Sequence, residues 1–350
     1  EKVIGFEAQV QTALQPYQDV SGKIKLQSHS IFKRPDLAKK FQVGDEESSL
    51  YAEYKGRIQR VAGLDPKAIT NTLLKLTKPP KKIYFVQSHD ERKIEDESTF
   101  GLKGIKDQLE RLHYKTAALD SLSTIPEDAA MLVMIGPRKP LGDKDRMILD
   151  GYLQTGGHLL IAADPGEDHQ VNVLLNEYGI HLPKNFVFSQ QVQATQSDLL
   201  VLTHKGEAKH EVAQSLIPGQ NPALFISSNV EIIEDFKVDF LIRPVLEHLP
   251  NSVAREDIDP KSEIVSEGKQ FAAVVAEGLT DPLFRLAVVG DSDFVTNQFY
   301  SRPGNFDFLI SMVAFLSKDE DLLRLKIPTA QTTYLILSQT QMNLYFLFFS

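Results

Sequence analysis

A chain of 350 residues, 42% of them apolar and 24% charged, is too long for one ordinary domain and carries enough apolar material for packed cores, so two globular units are expected. A formal net charge of -9 argues against nucleic acid as the main partner and against docking of the folded body on an anionic lipid surface. The absence of cysteine excludes disulfides, thiolate metal sites and a cysteine nucleophile, and it leaves the compartment open.

Glu1 in place of an initiator methionine is what a processed chain or a fragment would show. Within the first block, residues 1–78, Val3 to Glu7 reads as a short strand, followed by a helical face of Val10, Leu14 and Tyr17. After Ser21-Gly22, the alternation of Lys23 to His29 predicts a half-buried strand. Asp36 is expected to cap a short helix that stops near Gly44. Two alternating runs between Leu50 and Val61 flank Lys55-Gly56, a hairpin signal. Asp65-Pro66 then opens a closing helix with Ile69, Leu73, Leu74 and Leu76 at helical spacing. The order β-α-β-α-β-β-α predicts a thioredoxin-like module, without the redox cysteines.

Pro79-Pro80 followed by Lys81-Lys82 is stiff and polar and marks the expected boundary. Beyond it, continuous apolar strands alternate with amphipathic helices: strands at 83–86, 131–135, 158–162 and 284–289, helices at 104–113, 143–154, 171–178 and 306–316. That grammar predicts a mainly parallel sheet covered on both faces. Between about 187 and 280 the pattern is less regular, with strand candidates at 186–188, 199–203, 224–226 and 271–275 expected to form an insertion or a sheet edge. No interior window approaches ~18 uninterrupted apolar residues, so none is expected to cross a bilayer. Tyr334 to Phe349 is uncharged and rich in aliphatic and aromatic residues. It reads either as a buried terminal element or as the start of a membrane anchor, within a tail expected over 328–350.

Three strand ends carry polar clusters, where open α/β sheets bind ligands. They are Gln87-Ser88-His89-Asp90-Glu91, Asp164 within AADPGEDH, and Asp291-Ser292-Asp293. Convergence of His89, Glu91, Asp164, Asp291 and Asp293 would give a metal or acid–base site. The plainer expectation is that these residues cap turns and helix starts, with the Asp291 and Asp293 carboxylates bonding local backbone or neighbouring loops. No catalytic, cofactor or metal ligand is assigned. His158 and His169 read as isolated histidines, and Lys39-Lys40 and Lys81-Lys82 as solvated faces. No phosphate-binding glycine loop and no G-x-S-x-G elbow occurs.

The segments KKIYFVQSHDER (81–92), LDGYLQTGGHLLIAADP (149–165), LLNEYGI (174–180) and RLAVVGDSDFVTNQFYSRPGNFDFLISMVAFLS (285–317) resemble the auxiliary proteins of gliding-motility-type ABC transporters, the GldG-like family. The junction ITNTLLKLTKPPKKIYF (69–85) sits where that family joins a thioredoxin-like module to its larger domain. The resemblance implies a larger domain over 81–327 with a three-layer, flavodoxin- or class I amidotransferase-like fold, related to a domain of eukaryotic intraflagellar-transport proteins. It also implies an extracytoplasmic, anchored protein, in the bacterial periplasm or on the outer face of the inner membrane. Its partners would be ABC permease and ATPase subunits, with homo-oligomerisation left open. Amidotransferase activity does not carry over, because there is no cysteine. The expected function is therefore a non-enzymatic subunit or scaffold that binds protein or ligand. The alternatives are a metal-dependent hydrolase or a soluble ligand-binding protein using the acidic strand ends.

Overall fold

A computed structural model describes residues 2–30, 32–41, 49–77, 79–189, 200–233 and 240–319. The expected tail over 328–350, the end of the larger domain beyond 319 and the stop at Gly44 lie outside the described residues.

The first block differs from its expected order. Helix α1 (Lys2–Val20) runs through the span read as a strand at Val3 to Glu7, so that strand is overturned. Lys23 to His29 forms no ladder. Helix α2 (Pro35–Lys40) starts with proline at its first position, where a missing N–H costs nothing. Asp36 lies inside its first turn and holds Arg34 through paired bonds of 2.9 and 2.7 Å, so it is not the cap. The hairpin forms as expected: β1 (Tyr51–Tyr54) pairs antiparallel with β2 (Arg57–Arg60), and Lys55 and Gly56 both take positive φ (50° and 78°), as a primed turn requires. Helix α3 (Pro66–Thr77) opens with Asp65 Oδ1 accepting from the Ala68 N–H at 3.1 Å. Tyr17 of α1 donates to the Pro66 carbonyl and lies 2.8 Å from Thr70 Oγ1, which ties the two helices together.

The remaining elements follow in order: β3 (Lys82–Val86), α4 (Lys103–Arg111), β4 (Lys115–Leu119), β5 (Ala129–Ile135), α5 (Asp143–Gln154), β6 (His158–Ala162), α6 (Asn172–Leu175), β7 (Ile180–His181) and β8 (Phe186–Ser189). After them come β9 (Leu200–His204), α7 (Glu211–Ser215), β10 (Ala223–Phe225), β11 (Glu231–Ile232), β12 (Phe240–His248), β13 (Ser252–Arg255), β14 (Ile264–Glu267), β15 (Phe271–Gly278), β16 (Arg285–Val289) and α8 (Asn305–Leu316). Among the described residues, nine strands form one sheet in the order β10-β9-β12-β15-β16-β6-β5-β3-β4. β16, β6, β5, β3 and β4 are mutually parallel, while β10, β9, β12 and β15 extend the sheet antiparallel. The fold is α/β as expected, but the sheet is mixed rather than mainly parallel. The irregular stretch after 187 supplies the antiparallel half, and β8-β13-β14 form a separate small sheet.

Side chains of the parallel strands alternate between two cores. Ile83, Phe85, Val133, Leu160 and Val289 face α4 and α8, through Ile105, Leu109, Phe308 and Phe315. Tyr84, Val86, Leu132, Ile161 and Val288 face α5 and α6, through Leu149, Leu153, Leu174 and Leu175. This period-two division between two helical layers explains the unbroken apolar runs of β5 and β6, since both of their faces are covered.

Candidate functional site at the carboxyl ends of the parallel strands

Within the parallel half the order is β4-β3-β5-β6-β16, a doubly wound arrangement whose direction reverses between β3 and β5. The crevice beyond the carboxyl ends at such a reversal is where these sheets hold ligands. Here protein side chains fill it. Arg92, in the loop after β3, is buried, and its guanidinium crosses toward the ends of β6 and β16. Its Nη2 contacts Asp293 Oδ1 at 2.5 Å and Asp164 Oδ2 at 3.3 Å, and its Nε donates to Ser292 Oγ at 2.9 Å. Ser292 in turn donates to Asp164 twice, from its backbone N–H and from its hydroxyl, both at 2.6 Å. Gly136, at the end of β5, leaves room for this: a Cβ there would lie 2.7 Å from Ser292 Oγ and 3.1 Å from Arg92 Nε.

Asp291 sits deepest. Its carboxyl accepts from the N–H groups of Asp293 (2.8 Å), Phe294 (3.2 Å) and Phe225 (3.2 Å). The first two are the local bonds expected of a residue opening the short 3₁₀ turn Asp293–Val295, and the third fastens the chain at the end of β10. Asp291 thus acts as a cap, whereas Asp293 is held mainly by a cation from a neighbouring loop. Burial pushes the Asp291 carboxyl well above the usual carboxylate range, with Asp164 and Asp293 adding repulsion and the N–H donors opposing. Asp293 is raised to about 6 by burial and Asp164, with Arg92 pulling the other way. Gly290 serves close approach: a Cβ there would lie 2.2 Å from the Ser228 carbonyl oxygen, and Ser228 donates its N–H to the Gly290 carbonyl at 2.7 Å.

His89 and Glu91 stand apart from this network. The His89 N–H donates to Glu91 Oε2 at 2.6 Å, and the ring approaches Glu91 Oε1 at 3.4 Å. On its other side His89 Nε2 meets Asp145 Oδ2, in the first turn of α5, at 3.0 Å, while the His89 carbonyl accepts from the Arg138 and Lys139 N–H groups. The Glu91 hydrogen bond raises the His89 pKa above 6.5, burial opposing and Asp145 adding to the rise. Ser88 Oγ lies 3.0 Å from His89 Nδ1, so the three side chains line up as serine, histidine and aspartate. Glu91 and Asp145 flank the ring and favour its imidazolium form. Among the described residues, no group of three or more His, Asp and Glu side chains is arranged to hold a metal ion.

Of the five singled-out residues, Asp164, Asp291 and Asp293 converge, and His89 and Glu91 form a second cluster. Sequence reasoning missed Arg92, Asp145 and the role of Ser292. The available signal was charge: three carboxylates from two strand ends meeting at one point need a cation, and the loop after β3 supplies Arg92. The isolated histidines are placed by the fold. His169 Nδ1 accepts from the Val171 N–H at 3.2 Å, and burial lowers its pKa. His158 is buried at the start of β6. The solvated-face reading is overturned for Lys81, whose Nζ donates to the Ser317 and Lys318 carbonyls at the end of α8.

Residues 80–207 match a family model described as an ABC-type uncharacterized transport system, of auxiliary type. No curated protein matches the chain. Among solved structures, the mmIFT52 N-terminal domain superposes with a TM-score of 0.51 at 17% identity, covering 67% of this chain and 97% of that one. The cytoplasmic protein STM3548 from Salmonella typhimurium gives a TM-score of 0.41 at 13% identity, covering 67% and 98%. The first of these likenesses shows a shared fold and nothing finer.

Proposed function

We infer that this chain is a non-enzymatic auxiliary subunit of an ABC-type transport system, working through its surfaces and not through chemistry at the strand ends. The family match over 80–207 supports the transport setting. The observation that carries the non-enzymatic reading is the crevice at the strand reversal, where Arg92, Asp164, Ser292 and Asp293 satisfy one another. A ligand site normally presents convergent polar groups to an open cleft. Here the cation that a phosphate or carboxylate would use is already paired with two carboxylates. The acidic side chains that a metal would use are taken by the guanidinium and by backbone N–H groups. The gliding-motility subtype and an extracytoplasmic location belong to this same reading and rest on the sequence resemblance, while a boundary at Pro79-Pro80 rests on the change of sequence pattern there.

Detergent extraction of membranes from cells that express the tagged chain, and a search of the eluate for an ABC permease and ATPase, test the reading. Co-elution of both after detergent extraction is expected. An untouched chain eluting alone, together with turnover of an ester, amide or phosphate substrate that Asp293→Asn abolishes, would overturn it.

A further inference from the structure

The segment Phe225–Val230 leaves β10 and crosses the upper, carboxyl end of β16 and the start of β15, fastened as it goes. The Phe225 N–H donates to Asp291 Oδ2 at 3.2 Å, the Ser228 N–H to the Gly290 carbonyl at 2.7 Å and the Val230 N–H to the Phe271 carbonyl at 2.8 Å. The same segment holds the small β8-β13-β14 sheet. The Ser227 carbonyl accepts from the Val187 N–H of β8 at 2.8 Å, and the Asn229 N–H donates to Asn185 Oδ1, just before β8, at 3.1 Å. It therefore ties the small sheet to the Asp291 end of the large one.

Two separate features oppose this fastening. Ile226 lies in the left-handed region, at φ 55°. For a β-branched side chain that is a genuine outlier, and such strain persists only where the surroundings impose it. Here the bonds at Phe225, Ser227 and Ser228 impose it. The second feature is polar burial without partners. Ser227 Oγ and Asn229 Oδ1 are buried and, among the described residues, make no hydrogen bond. The same holds for His248 Nδ1, whose ring meets the Ser228 carbonyl through Nε2 at 3.4 Å. It holds again for Ser252 Oγ in β13, whose N–H reaches the carbonyl of Leu249, one residue after His248, at 2.8 Å. A dry, unpaired polar group costs free energy that water returns as soon as it enters. Between β8, β13 and β9 the opposing apolar cluster is small, comprising Val187, Val201 and Ala254 among the described residues.

We propose that Phe225–Val230 is a latch with a second, released position. In that position Ile226 returns to ordinary backbone, the unpaired polar groups take up water, and the small sheet is freed from the Asp291 end of β16. A partner that binds the released form more tightly than the latched one shifts the protein toward it, so the position of the small sheet is controlled here. The latch stands apart from the transport reading and does not depend on it.

Residue-resolved amide hydrogen exchange of the intact chain, followed by nuclear magnetic resonance, tests the latch. The N–H groups of Val187, Ser228, Asn229 and Val230 are expected to exchange together, at least ~100-fold faster than those of β5 and β6, through a local opening. Ile226→Asn places a residue that tolerates positive φ, and Ser227→Ala removes an unpaired hydroxyl. Each should slow that exchange by roughly three- to tenfold, the opposite of what truncating a well-packed buried side chain does. Protection at the four amides equal to that of β5 and β6 would overturn the latch, as would unchanged or faster exchange in either variant. Exchange at Ser228 and Asn229 without Val187 would show fraying that leaves the small sheet in place, and it too would overturn the proposal.

Discussion

At the upper ends of β3, β6 and β16 polar side chains turn inward and satisfy one another, whereas at the lower ends cations turn toward the carbonyls of α8 and leucines turn outward. The upper end has the topology of a ligand site and the contents of a structural core. Position in a fold therefore states where a site would be, and the side chains present decide whether one is available. The lower end has no such topological claim, but it is where the chain leaves the α/β unit and where apolar surface is left uncovered.

The sharpest way to break this contrast is Arg92→Met. It removes the cation and leaves the buried Asp293 and the half-buried Asp164 without it, so a loss of about 3–5 kcal/mol is expected from urea denaturation. A loss below about 1 kcal/mol would mean that the network is not structural. Next in size, Asp291→Asn keeps the shape but gives up one of two acceptor oxygens facing three N–H donors. It should cost about 1–3 kcal/mol by the same measurement.

The two ends also differ in the sign of their pH response. His89 has a folded pKa raised above 6.5 by Glu91, so its contribution is present below pH 6.5 and disappears as the pH rises through the folded value. His158, pushed to about 4 by burial and by Lys318, Arg285 and Lys81, behaves oppositely: its contribution is present above pH 6.5 and is lost as the pH falls toward 4. Stability profiles of His89→Gln and His158→Gln, each subtracted from wild type, should slope in opposite directions, and parallel slopes would contradict the electrostatic account. Smallest of all, Leu279→Glu should change stability by no more than about 0.5 kcal/mol, because the side chain is exposed. A larger loss would place Leu279 in the core and contradict its exposed position.

Much of the α/β unit was legible because its strands and helices are buried on predictable faces. The spans of α5 and β6 follow from periodicity, and the Lys55-Gly56 hairpin follows from turn chemistry. Elements whose stability comes from pairing partners far away in sequence were not legible. β4, with its polar edge-strand sequence KTAAL, carries little apolar signal of its own. β12 is punctuated by Arg243, Pro244 and Glu247 and holds its place through β15 and β9. At Val3 to Glu7 a short apolar run fits strand and helix equally, and the helix wins by continuing through Val10 to Val20. Within the site, the Asp291 cap follows from its place after an apolar strand. The Arg92 bridge spans 201 positions to Asp293, and local sequence does not encode such a contact.

The most direct test of the central claim is the melting temperature of the intact chain titrated with Mg²⁺, Mn²⁺, Ca²⁺ and Zn²⁺. With the upper crevice closed by Arg92, none of these cations should raise it. A cation-dependent rise in the wild type that disappears in Asp164→Asn or Asp291→Asn would show that these carboxylates bind metal, and it would contradict the account.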